Sequence, residues 1–262
     1  MSLAAVMSDV QTLRCATHEG IATVILHRPD SRNALDFRMC RELTAVMDAI
    51  ARDDAVRVVL VKAAGPVFCA GADLRERQGM STEQTTARRV AGFTAYAAIE
   101  RLPQPAIAVV QGAAVGSGCE IAAACDFAVA STAATFRYPE VGWATVGATQ
   151  RLPRIVGKRM AKELLLTGRS IDADEARKLG LVNAVFEPSE LEAQADAIAR
   201  KIVAAAPLAV RLTKRCIDSG SETTREGAMG LELLAIEENL RHSDWKAAIA
   251  AFGRPAPGDD ER

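Results

Sequence analysis

Two short runs of this chain are apolar at almost every position: Val56–Val61, broken only by Arg57, and Ala106–Gln111, polar only at its end. A strand with one wet face alternates apolar and polar residues. A strand that does not alternate must be covered on both faces, as in a parallel sheet with helices packed on each side. Each run opens into a loop of small residues, Gly65–Leu74 after the first and Gly112–Gly118 after the second. Between them lies Ser81–Leu102, a helical stretch that stops before Pro103, because proline disrupts a helix interior. Strand, small-residue loop and helix succeed one another, which argues for an α/β fold whose loops carry function at the strand ends.

The neighbouring segments fit this reading. Thr12–His18 and Ile21–Leu26 read as strands joined by the Glu19-Gly20 turn, a hairpin signal. Met39, Leu43, Met47 and Ile50 recur at helical spacing, so Asp36–Ala51 is an amphipathic helix. Phe127–Ala130 is a further strand. After Gln150 the pattern turns mostly helical: Lys158–Thr167, Asp172–Leu179, Pro188–Ala205, Leu208–Gly220 and Glu222–Arg241. Pro207 falls where a helix start tolerates proline. The expected division is an α/β core over 8–205, a helical region over 206–254, and a polar tail over 255–262 that is expected to be disordered.

Composition narrows the function by exclusion. With 32 basic and 33 acidic residues the net charge is −1, which gives no broad field to gather nucleic acid or an anionic membrane. No apolar run approaches the roughly 20 residues that span a bilayer, and Met1–Asp9 has no basic stretch ahead of its short apolar part, unlike a signal peptide. Cys15, Cys40, Cys69, Cys119, Cys125 and Cys216 form no Cys-x-x-Cys and read as reduced thiols of a cytoplasmic protein. The three histidines have no metal-ligand spacing, so no metal is expected.

The chemistry points to two glutamates. Glu120 closes Gly116-Ser117-Gly118-Cys119-Glu120 and leads into Ile121–Ala124; Glu140 closes Tyr138-Pro139-Glu140. A carboxylate heading an apolar, small-residue helix is expected to be buried, which is costly unless it is paired, hydrogen-bonded or kept for chemistry. Two carboxylates facing one pocket can divide acid and base duties, since like charges push their pKa values apart. The small-residue loops leave backbone N–H groups free. If those near Ala72 and Ser117 converge, they form an oxyanion hole. A rival reading uses the same residues, because Ser117-x-x-Glu120 also spells a capping box in which Glu120 consumes the Ser117 N–H. The residues alone leave both open. Taken singly, Pro66–Leu74 is equally an ordinary strand-to-helix turn, and Glu140 a solvated loop acid.

Five segments occur together in one order: Leu26-His27-Arg28-Pro29 with Asn33-Ala34-Leu35, then Phe68–Leu74, Gly116–Glu120, Pro139-Glu140 and Thr149–Pro153. In this combination the chain resembles the crotonase superfamily, the enoyl-CoA hydratase/isomerase proteins, over about residues 10–254. The resemblance implies a crotonase-like repeated ββα core with a C-terminal helical trimerisation region, assembled as a homotrimer or homohexamer. It implies hydration of a trans-2-enoyl-CoA to a 3-hydroxyacyl-CoA, or the reverse, with no cofactor beyond the coenzyme A of the substrate and no nucleic-acid or membrane partner. Ala72 and Ser117 match the two backbone donors to the thioester oxygen, and Glu120 and Glu140 the two catalytic acids. Arg28, Ser31, Arg32, Ala70, Asp73 and Leu74 match stretches that contact coenzyme A, Phe252 a position near the adenine end, and Arg254 a basic position for phosphate. Two departures stand out. Ser117 replaces the usual glycine, and Val141–Ala148 is shorter than the usual loop, with Trp143 bulky enough to cap the pocket. The alternatives are an isomerase or other acyl-CoA enzyme of the same scaffold, or a catalytically silent acyl-CoA- or RNA-binding relative. Retention of both acids favours hydration, and the near-neutral charge speaks against RNA.

Overall fold

The computed structural model describes residues 3–250, apart from the Ala248 side chain. Phe252, Arg254 and the tail 255–262 lie outside the described residues. The chain divides into two compact units, one ending at Val203 and one beginning at Ala204.

The first unit runs α1 (Leu3–Asp9), β1 (Leu13–His18), β2 (Ile21–Leu26), α2 (Phe37–Ile50), β3 (Val58–Ala63), α3 (Leu74–Arg77), α4 (Thr82–Glu100) and β4 (Ala106–Val110). It continues with β5 (Ala114–Val115), α5 (Ser117–Ala124), β6 (Phe127–Ser131), β7 (Thr135–Arg137), α6 (Arg151–Val156) and α7 (Lys158–Thr167). It closes with β8 (Ser170–Asp172), α8 (Ala173–Lys178), β9 (Ala184–Phe186) and α9 (Leu191–Ala204). The larger sheet has the order β1-β2-β3-β4-β6-β9, antiparallel only between β1 and β2. The smaller one is β5-β7-β8.

The non-alternating runs explain the layering. Val58 and Leu60 of β3 and Ile107 and Val109 of β4 join one core, with Leu191, Ala195 and Ala199 of α9. Val59, Val61, Ala106, Ala108 and Val110 join the other, with Met39, Leu43 and Met47 of α2 and Ile99 of α4. Successive residues of a strand point to opposite faces, so each strand feeds both cores at once. Full burial of each valine, leucine, isoleucine or methionine among them stabilises the fold by about 1.5–3 kcal/mol. Helix starts are set locally: the Asp36 carboxylate accepts from the Met39 N–H at 2.8 Å, and Ser81 forms a capping box with Gln84.

The segment after Gln150 is mostly helical, as expected, and adds two short strands that the sequence did not announce. Both β8 and β9 lie there, each three residues long, too short to display a period of two. β9 completes the larger sheet with Val129 opposite Ala184.

The second unit holds α10 (Pro207–Ser221), α11 (Arg225–His242) and α12 (Trp245–Ala250). α10 and α11 pack together, and an Arg215–Glu238 ion pair of 2.6 Å links them. A cavity of about 560 Å³ opens between them, lined by Leu212, Ile217, Met229 and Ile236. Leu233, Leu234 and Leu240 remain exposed.

Candidate active site

Backbone pairing brings the two small-residue loops side by side. The Cys69 N–H donates to Ala113 O at 3.1 Å, and the Val115 N–H returns to Cys69 O at 2.9 Å. Gly112 and Gly118 permit this closeness: a Cβ at Gly112 would overlap Pro66 O, and one at Gly118 would lie 2.5 Å from Cys69 O. Ala72 is bracketed by Leu35, whose N–H donates to Gly71 O and whose carbonyl accepts from the Asp73 N–H. Gly71, at φ 98°, is close enough that a Cβ there would lie 3.9 Å from the Ser117 nitrogen. Neither the Ala72 nor the Ser117 N–H donates a hydrogen bond among the described residues.

The capping box at Ser117 does not form. Gly116, at φ 49°, is the N-cap of α5, and no side chain caps that end. Ser117 is therefore the first helical residue, whose N–H has no intrahelical acceptor. Its side chain lines the same cavity as the buried Tyr96, and the Glu120 carboxylate turns to Arg151.

Glu120 is only 6% exposed. Its Oε2 accepts from Arg151 Nη1 at 3.0 Å, while Arg151 Nη2 donates to Glu100 at 2.7 Å. The Arg151 guanidinium also lies 5.7 Å from the Tyr96 ring centre, within cation–π range. Burial pushes the Glu120 carboxyl above its ordinary range, and the Arg151 charge and hydrogen bond oppose that rise. Glu140 stands on a 3-10 turn, Glu140–Trp143. Its carboxylate packs on two glycines: a Cβ at Gly116 would sit 3.0 Å from Oε1, and one at Gly147 would sit 2.9 Å from Cγ. Burial raises its pKa too, opposed mainly by its own backbone and by the more distant Arg89. Each glutamate leaves one buried oxygen, Glu120 Oε1 and Glu140 Oε2, without a hydrogen-bond partner. Cys69 is no rival nucleophile, since burial pushes its thiol up to about 12.

Ala72, Ser117, Glu120 and Glu140 all line one cavity of about 400 Å³, together with Arg32, Ala70, Leu74 and Trp143. Trp143 is 65% exposed, so it forms part of the rim and does not cap the pocket. Arg28, Ser31 and Asp73 do not line the cavity. The Arg28 guanidinium is held by Asp73 at 3.0 Å and Asp36 at 3.3 Å, and Asp73 caps α3 by accepting from the Arg75 and Glu76 N–H groups. These charges brace the loop from behind. The Ser31 N–H closes a turn onto Arg28 O. Four contributors carry no functional signal in the sequence: Arg77, Arg88, Arg89 and Tyr96 of α3 and α4 line the cavity, yet each is one residue of an ordinary helix. Arg151 does lie in a family-like segment, but only the fold reveals its partner.

A second cavity, of about 690 Å³, shares Glu140, Thr145, Val146 and Gly147 with the first. It holds neither Glu120 nor either free N–H, so the chemistry belongs to the smaller one. Among the described residues, no cluster of His, Cys, Asp or Glu could hold a metal ion, and no helix is long and apolar enough to cross a membrane. Two free N–H groups that line one cavity could together stabilise an oxyanion, and two carboxyls with raised pKa values could move protons beside it.

Residues 16–254 match the Enoyl-CoA hydratase/isomerase family. A short-chain-enoyl-CoA hydratase of Clostridium acetobutylicum is 42% identical over 236 residues, covering 88% of this chain and 90% of that relative. A crotonyl-CoA hydratase of Syntrophomonas wolfei is 38% identical, covering 89% and 92%. The crystal structure of an enoyl-CoA hydratase from Bacillus anthracis superposes with a TM-score of 0.90 at 36% identity, covering 92% of this chain and 96% of the other.

Proposed function

Because this chain belongs to the enoyl-CoA hydratase/isomerase family of the crotonase superfamily, we propose that its Glu120–Glu140 cavity adds water across the double bond of a trans-2-enoyl-CoA. The protein is an enoyl-CoA hydratase, a lyase forming 3-hydroxyacyl-CoA or dehydrating it in reverse. The observation that carries the site assignment is the pair of unpartnered N–H groups, Ala72 and Ser117, in one cavity with both carboxyls.

The thioester oxygen lies against those two N–H groups, each worth about 3–4 kcal/mol of transition-state stabilisation. Their field draws electrons from the double bond and leaves C3 electrophilic. Water is held between the free oxygens of Glu120 and Glu140. Glu120, whose ionised form Arg151 favours, takes a proton from the water as its oxygen bonds to C3. The resulting enolate collapses as Glu140, whose neutral form burial favours, delivers a proton to C2. Proton exchange between the two carboxyls restores the starting state. The steps use carboxyls and backbone alone and call on no metal, nicotinamide or flavin. A spectrophotometric assay with a short and a long 2-enoyl-CoA tests the reading. Loss of the conjugated-thioester absorbance with formation of the 3-hydroxyacyl product is expected. Migration of the double bond without water uptake would replace hydratase by isomerase.

The assembly proposed is a homotrimer or homohexamer, supported by the exposed Leu233, Leu234, Ile236 and Leu240 of α11, which are too apolar for an isolated surface. Light scattering should give a mass about three or six times 27.8 kDa, and a monomer at micromolar concentration would refute it. Six free cysteines support a reducing compartment such as the cytoplasm.

A further inference from the structure

The cavity that holds two carboxyls is walled by five arginines, Arg32, Arg77, Arg88, Arg89 and Arg137. Most are committed elsewhere. Arg88 is buried and donates to Leu35 O, with Glu76 at 3.5 Å. Arg89 donates to Val146 O at 2.8 Å and to the Thr145 hydroxyl. Arg137 donates to Gly168 O. The Arg32 and Arg77 side chains have no hydrogen bond or ion pair among the described residues, and of the two Arg32 is exposed and Arg77 half-buried. Burial and the fields of Arg89 and Arg88 all disfavour the Arg77 charge. A guanidinium in that position is a cation awaiting an anion.

The position of Arg77 says which anion. Arg89 is bonded to Thr145 and Val146, and the adjoining Gly147 packs on Glu140. Arg89 therefore belongs to the Glu140 side of the cavity, and Arg77 lines that same cavity with it. Arg32 belongs to the other loop, where its carbonyl accepts from the Ala70 N–H. Leu74, Phe93, Trp143 and Val146 line the same cavity and are exposed, so methylenes have an apolar path on the way. Building on the hydratase reading, we propose that the preferred substrate is a 2-enoyl-CoA whose acyl chain ends in a carboxylate, received by Arg77 with Arg89 beside it.

The test compares kcat/KM for trans-2-enoyl-CoAs bearing an ω-carboxylate, from the five-carbon 2-pentenedioyl-CoA to the six- and eight-carbon homologues, with plain 2-enoyl-CoAs of equal length. The ω-carboxylates should be favoured at least about tenfold at one length, a modest demand on a half-buried charged pair. Arg77→Met should abolish that ratio and Arg77→Lys should keep part of it. A ratio of one or below at every length in the wild type overturns the proposal. So does a ratio unchanged in Arg77→Met. A KM raised equally for both series in Arg77→Met would assign Arg77 to the phosphates of coenzyme A and also overturn it. If plain crotonyl-CoA is hydrated but ω-carboxylates gain nothing, only this inference fails. If no 2-enoyl-CoA is hydrated, the hydratase reading fails and takes the inference with it.

Discussion

Glu120→Gln and Glu140→Gln each lower kcat by at least about 100-fold, the lower end of what a positioned acid or base contributes. Glutamine keeps the shape of the side chain but can neither take nor release the proton. The two variants differ in stability and pH profile. Glu120→Gln breaks an ion pair, but Arg151 keeps Glu100, so the loss is limited. Glu140 has no ion pair among the described residues, and burial raises its pKa. A carboxyl with a raised folded pKa penalises the fold once pH exceeds its unfolded pKa, because the unfolded chain ionises first. The penalty grows through the window between the two values and stays constant above it. Glu140→Gln should therefore melt no lower than wild type at neutral pH while losing activity, an exchange of stability for function. Arg151→Gln removes the cation that holds the Glu120 pKa down, so the acidic limb of the kcat/KM profile should move to higher pH. Steady-state kinetics and melting curves across pH check all three. An unchanged kcat in Glu140→Gln would sink the two-carboxyl mechanism and revive a one-acid isomerase.

Ser117→Pro should also lower kcat by about 100-fold or more, by deleting one oxyanion donor. The substitution is informative because Ser117 is the first residue of α5, the helical position where proline is best tolerated. Ser117→Gly and Ser117→Ala keep the N–H and should stay within about tenfold of wild type. They lose a hydroxyl near the buried Tyr96. A single polar contact of that kind is worth about 0.5–1.5 kcal/mol of stability. A full set separates the roles: glycine and alanine move melting temperature alone, and proline moves the rate as well. A Ser117→Pro enzyme that folds and keeps its rate would remove this N–H from the mechanism.

The parts of the fold that were legible are those whose signal is local. Val56–Val61 and Ala106–Gln111 announce two-faced strands because almost every position is apolar, and Met39 to Ile50 announce a helix by spacing. Glu120 stands out because a carboxylate beside Ile121–Ala124 needs a reason, whereas Glu140 stands out only in combination with the other segments. Illegible were features decided by tertiary neighbours. The capping pattern at Ser117 fails because Gly116 takes the N-cap at φ 49°, a backbone choice the residue letters do not encode. Arg28 and Asp73 look like ligand contacts but neutralise each other. Arg77 and Arg151 look like helix-surface charges until the fold supplies an unfilled cavity for one and Glu120 for the other.

The glycine contacts at 112 and 118 have a consequence for how such an enzyme diversifies. There backbone touches backbone, so even one added methyl has nowhere to go, and the reaction machinery has almost no neutral neighbours in sequence space. The opposite wall is built from side-chain tips: Leu74 and Arg77 on α3, Arg89 and Phe93 on α4, Trp143 and Val146 beyond Glu140. Arg89 also anchors Thr145 and Val146, but single substitutions at the other tips break no side-chain hydrogen bond to a strand or loop among the described residues. A saturation library confined to them samples new acyl groups at little risk to folding, whereas one that includes Gly112 or Gly118 returns mostly dead clones. Substrate range in this protein is free to drift while reaction type stays fixed.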